Sequence, residues 1–105
     1  MSTVGGGGAG AVDVVDNPTQ SRFEAVVEGQ LAVAEYVRHG DTIIFTHTEV
    51  PKELDGRGIG GALAHAALEQ ARAQGLTVVA RCPFMAKYIE RHQVYQPLLR
   101  RESRA

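Results

Sequence analysis

The 105-residue sequence predicts one small α/β domain of the α+β kind: a mainly antiparallel sheet, then a β-α-β crossover and a C-terminal helix. Three observations predict it. Four β-prone runs separated by short polar turns fill the chain up to Val50; the apolar spacing then turns helical; and a further strand and a further helix follow in that order.

Met1 to Gly10 carries five glycines and little that packs, and is expected to be a flexible tail outside the fold, leaving residues 11–105 as the single domain. Ala11 to Val15 reads as a first short strand, ended by the turn Asp16-Asn17-Pro18-Thr19, where Pro18 sets φ and the Asx side chains can bond nearby backbone. Arg22 to Val27 and Leu31 to Arg38 are β-branched and aromatic runs joined by Glu28-Gly29-Gln30, a spacing that suits a hairpin. After the turn His39-Gly40-Asp41, Thr42 to Val50 is the strongest strand, stopped by Pro51. Ile59, Leu63, Ala66, Ala67 and Ala71 then recur at helical spacing, so Ile59 to Gln74 is a helix closed by Gly75. Leu76 to Ala80 is a short strand, and Pro83 to His92 a second helix with proline at its first position. A right-handed crossover places Leu76 to Ala80 parallel to Thr42 to Val50, so the tips of both strands share an edge with His47, Glu49, the glycines and Cys82.

Composition narrows the function. A net charge of −1 with interspersed signs argues against recruitment to nucleic acid or an anionic membrane by bulk electrostatics. No apolar run has membrane-spanning length, the N-terminus does not read as a signal peptide, and one cysteine gives no internal disulfide framework. A cytoplasmic protein that binds a small polyanion is the expectation; oligomeric state has no sequence signal.

The polyanion site is expected between Val50 and Gly61, where four glycines and Arg57 join a strand to a helix start. Glycines let backbone approach an anion, and the helix adds unpaired N–H groups and partial positive charge. Gly56, Gly58 and Gly61 fit G-x-G-x-x-G. A dinucleotide fold is nevertheless disfavoured, because Pro51 to Asp55 separate the glycines from the strand and no second mononucleotide unit fits. A Walker loop lacks its Lys-Ser/Thr pair. A ligand-free connector is weighed against these, but clustered glycines weaken a helix start unless close approach is needed.

Val50-Pro51 with Gly56-Arg57-Gly58-Ile59-Gly60-Gly61-Ala62-Leu63 resembles the pyrophosphate loop of the GNAT acetyltransferases, whose pattern is Arg or Gln, two residues, Gly, one residue, then Gly or Ala. Those positions here are Asp55, Gly58 and Gly60; Asp55 departs from the pattern, and an acid there weakens pyrophosphate binding unless it points away or Arg57 compensates. His47-Thr48-Glu49-Val50-Pro51, Arg81-Cys82-Pro83-Phe84 and Tyr88-Ile89-Glu90-Arg91-His92 resemble the short, minimal branch of that superfamily, with Gln93-Val94-Tyr95 where relatives often carry Pro-Glu-Tyr. The resemblance spans Val12 to Leu99. It implies a GNAT-like fold with two strands splayed around the pantetheine arm of acetyl-CoA. Backbone of Thr48, Glu49 and Val50 would meet the arm, and Gly56, Arg57, Gly58, Ile59, Gly60 and Gly61 the pyrophosphate, with Cys82 and Phe84 beside the cofactor. An acetyl group would pass to an unidentified amine.

Cys82 falls at or near the N-cap of the second helix, where dipole and N–H groups favour thiolate; it is a candidate acyl acceptor or acid toward the departing CoA thiolate, or else a small buried hydrophobe. His47 and Glu49 share one strand face, and either is a candidate base. Tyr88 is a candidate acid by the same resemblance, against a packing role. His65 reads as a helix-surface residue, His39 as part of a turn and His92 as a helix-end cation. No Cys/His spacing suggests a metal site. The readings weighed are thus an acetyl-CoA-dependent N-acetyltransferase, a non-catalytic or self-acylating acyl-CoA-binding module, and a thiol redox sensor.

Overall fold

The computed structural model describes residues 3–4 and 12–99. Their strands form one six-stranded sheet in chain order: β1 (Thr3–Val4), β2 (Val14–Asn17), β3 (Arg22–Val27), β4 (Gln30–His39), β5 (Thr42–Glu49) and β6 (Thr77–Ala80). The first four junctions are antiparallel and the last is parallel, with Thr42 opposite Thr77 and Phe45 opposite Ala80. The expected meander and crossover are therefore present. Thr3–Val4, expected within a tail outside the fold, instead pairs with Val14 and Val15; the rest of the first ten residues, and Ala11, lie outside the described residues.

The second strand is displaced from its expected bounds. It runs through Asp16 and Asn17, and the turn moves to Pro18 through Ser21. Cross-strand partners outweigh local turn preference here: Asp16 accepts hydrogen bonds from the Tyr36 hydroxyl (2.7 Å) and Gln70 Nε2 (2.8 Å), and Asn17 Nδ2 donates to Glu24 (3.0 Å). Arg22, 2.7 Å from the Glu24 carboxylate, holds that acid below its ordinary pKa.

Helix α1 (Ile59–Ala73) ends one residue earlier than expected, in a closed C-terminal turn: Gly75, at φ 69°, donates to Arg72 O and Leu76 donates to Ala71 O. Helix α2 (Pro83–Arg91) follows Cys82, its N-cap, and His92 Nδ1 meets the Tyr88 carbonyl at 2.8 Å, in keeping with a helix-end role. A 3-10 segment, Gln93–Leu98, follows and was not foreseen, and Leu99 after it bridges in parallel to Val78.

Both helices pack on one sheet face, α1 over β2 to β5 and α2 over β5 and β6, touching each other. One core results, built on Phe23, Ala34, Tyr36, Phe45 and Val78 from the sheet, Leu63 and Leu68 from α1, and Met85 and Ile89 from α2. Val15, Val26, Leu31 and Val37 remain exposed.

Asp16 joins three elements through two side-chain donors. Tyr36→Phe, which removes the shorter bond but keeps the ring, is expected to cost about 1–2 kcal/mol. Thermal melting should fall by roughly 4–8 °C per kcal/mol.

Candidate functional site

The β5 and β6 strands part company at Phe45. Its carbonyl accepts both the Arg81 and Cys82 amides, at 3.0 and 3.1 Å, and past this point β5 continues to Glu49 while β6 has ended at Ala80. On its other side β5 carries a bulge: Tyr36 pairs with Phe45 but Glu35 pairs with His47, leaving Thr46 as the additional residue. This resets the alternation. Thr48 pairs with buried Ala34 and so joins Phe45 on the helix face, while His47 and Glu49, opposite Glu35 and Val33, turn to the helix-free face.

The gap opens into a cleft of about 380 Å³. Thr48 and Val50 form its strand wall; Gly56, Gly58, Ile59, Gly60 and Gly61 form its loop and helix wall; Phe84 stands opposite, and Leu54 and Asp55 complete it. The 3-10 turn Lys52–Leu54 carries the chain from the strand into the loop, fixed by Leu54 N donating to Pro51 O at 2.9 Å and by burial of Leu54. Gly56 (φ 81°) and Gly58 (φ 74°) then take left-handed conformations, and Gly58 is the N-cap of α1 with no side-chain cap. The first helical bond from this end is Ala62 N to Gly58 O, so the amides of Ile59, Gly60 and Gly61 precede the helical ladder. Gly60 is glycine for a packing reason: a Cβ there would lie 2.8 Å from the Phe84 ring.

Eight predicted ligand-binding residues thus share the cleft: Thr48, Val50, Gly56, Gly58, Ile59, Gly60, Gly61 and Phe84. Arg57 is beside it but directed elsewhere, both terminal nitrogens meeting Glu28. Asp55 is among the residues of the cleft wall, and Arg57 is paired with Glu28 rather than with it. Leu54 was not anticipated; its signal was an isolated apolar residue inside a polar loop.

Cys82 is buried behind the strand wall, its Sγ 3.4 Å from Thr48 Oγ1. The structure does not bring His47 to Cys82. His47 Nε2 lies 3.2 Å from Glu49 Oε1, both side chains more than half exposed, on the opposite face of β5 from Thr48. Tyr88 packs its ring beside Gly61 and stacks on His92 at 3.9 Å, and burial and the Glu69 charge raise its pKa, so the phenol keeps its proton.

His65 is not a free surface residue. Its Nδ1 lies 3.1 Å from the Tyr95 hydroxyl, which donates to Glu69 Oε2 at 2.6 Å. Burial and this carboxylate raise the Tyr95 phenol strongly. Tyr95 thereby fastens the C-terminal segment to α1. Among the described residues no group of three or more His, Cys, Asp or Glu side chains is placed to hold a metal ion, and no helix is long and apolar enough to cross a membrane.

A mixed sheet splayed between two parallel strands, with a glycine-walled helix N-terminus at the opening, defines a protein of the GNAT acetyltransferase fold. The family model described as GCN5-related N-acetyl-transferase matches residues 22–98, and the chain belongs to that family. A protein from Staphylococcus aureus, described as GCN5-like in its NMR solution structure, superposes with a TM-score of 0.68 at 26% identity, covering 90% of this chain and 94% of that one. No curated protein matches the chain.

The Gly60–Phe84 contact is testable by a double-mutant cycle in urea. Gly60→Ala is expected to be neutral or stabilising in a Phe84→Ala background, as for alanine in any helix. With Phe84 present it should cost about 1 kcal/mol more, because the ring must move.

Proposed function

We propose that this chain is a minimal acetyl-CoA-dependent N-acetyltransferase, with the pantetheine arm in the β5–β6 gap and the pyrophosphate on the amides of the Gly58–Gly61 helix start. The observation that carries this reading is the coincidence of two unpaired backbone surfaces at one opening. The β5 edge from Thr46 to Glu49 loses its β6 partner just where the first-turn amides of α1 precede the helical ladder. One surface suits the amides of an extended arm and the other suits phosphate oxygens. The cleft offers few side-chain charges, so such a ligand is held chiefly by backbone. A cytoplasmic protein with a reduced lone thiol is consistent with this chemistry.

In the proposed reaction the amine nitrogen attacks the thioester carbonyl, its carbon–sulfur bond breaks, and CoA leaves as thiolate. The amine proton goes to a base and the thiolate takes a proton from an acid. Cys82 fits the acid: as a thiol it donates toward Thr48 Oγ1 on the cleft wall, and the thiolate it becomes sits at the N-cap of α2. His47 fits the base, since donation from Nε2 to Glu49 leaves Nδ1 to accept a proton. The amine then approaches from the helix-free face. The same N-cap position favours a second reading, in which Cys82 accepts the acyl group itself and the protein binds acyl-CoA without turnover.

CoA and acetyl-CoA are expected to raise the melting temperature, by mass action on the native state. Thiol release with a panel of amines is expected to fall by about 10²-fold or more in Cys82→Ala and His47→Ala while CoA binding survives. Release by neither variant nor wild type, together with an acetyl adduct on the Cys82 peptide by mass spectrometry, would establish the second reading instead.

A further inference from the structure

The one arginine of the glycine loop is already bound to an anion of this chain. Arg57 places Nη2 2.8 Å and Nη1 3.1 Å from a single oxygen of Glu28, which lies 29 residues earlier in the sequence. Glu28 is held there by its own backbone. Val27 pairs with Gln30, so Glu28 and Gly29 form a two-residue hairpin turn, both with positive φ, 52° and 77°. Such turns favour Asn-Gly or Asp-Gly, and a glutamate in the left-handed region is disfavoured. The turn therefore carries a residue its backbone does not prefer, and the carboxylate of that residue occupies the terminal edge of Arg57, the edge that binds phosphate bidentately.

We infer that Glu28 sets the affinity of the phosphate site by competing with the ligand: its carboxylate takes the place of a phosphate on Arg57, and a bound phosphate displaces it. This rests on the reading of the loop as a CoA phosphate site. Three charges decide the balance. Arg57 supplies one positive charge, Glu28 opposes it, and Asp55 stands in the cleft wall with a second negative charge. Binding exchanges one exposed ion pair for another, so the arginine contributes less than an unpaired guanidinium would, and the backbone amides supply most of the attraction. The hairpin tip of β3–β4 is thus part of the ligand site although no lining residue of the cleft belongs to it.

Calorimetric titration of CoA into wild type, Glu28→Asn, Arg57→Gln and the double variant, at low and moderate salt, tests this. Glu28→Asn creates Asn-Gly, which suits the turn, so the charge is removed without loss of the hairpin. It is expected to tighten CoA about two- to fivefold, the range an exposed ion pair spans. Arg57→Gln should cost more affinity in the Glu28→Asn background than in wild type, and added salt should weaken Glu28→Asn more steeply than wild type. Unchanged or weaker CoA binding by Glu28→Asn overturns the inference; weaker binding would make Glu28 a support for Arg57. Inorganic pyrophosphate serves as the second probe. If wild type binds pyrophosphate but not CoA, the CoA reading fails while tighter pyrophosphate binding by Glu28→Asn upholds the competition. Binding of neither probe by any variant overturns both.

Discussion

Between Phe45 and His47 the β5 strand holds one residue more than its partner β4, and the layout of the site follows from that residue. Without the Thr46 bulge, alternation from buried Phe45 would send His47 and Glu49 into the core face and Thr48 away from it. The core face there is filled by α1 and α2, where two ionisable groups would need buried partners. With the bulge, Thr48 meets Cys82 on the helix side and the His47–Glu49 pair meets solvent. The bulge lies at the position where β6 stops, so redirection of the side chains and the end of β5–β6 pairing fall at one place in the strand.

A gap alone would be a defect in the sheet; the loop after it supplies what the gap lacks. The left-handed Gly56 and Gly58 turn the chain so that α1 begins facing the opening, and Gly60 allows the α2 residue Phe84 to close against the first turn. The cost of glycine at a helix start, up to about 1 kcal/mol each, is accepted where backbone must approach another group. An anion at this opening would be attracted by fixed dipoles, which salt and side-chain mobility weaken less than they weaken exposed charges. The acids Asp55 and Glu28 would be tolerable in the proposed site for that reason.

Most of the fold was legible because its signals are local. Period-2 runs, the change to helical spacing at Ile59, Gly75 after a helix and Pro83 before one are each read within a few residues. The glycine wall and the N-cap position of Cys82 came from the same kind of signal. What escaped depends on pairs distant in sequence. The bulge is a mismatch in count between β4 and β5, invisible in either alone. Asp16 and Asn17 resemble a turn until Tyr36, Gln70 and Glu24 are placed beside them. His65 resembles a surface residue until Tyr95 returns to it, and Arg57 a free cation until the hairpin tip delivers Glu28.

The two-sided layout constrains chemistry of the proposed kind. With both helices on one face, a thioester drawn along the β5 edge would be approached by a leaving-group acid from the helix side and by an incoming amine from the other. A single strand's thickness then separates acid from base, so Cys82 and His47 need no contact with each other to serve one reaction. In the proposed reaction a proton taken by the exposed imidazole would pass to bulk water, whereas one given by the buried thiol would have to be restored through the cleft. The asymmetry makes re-protonation of Cys82, behind a bound arm, the step that departure of CoA would have to accompany.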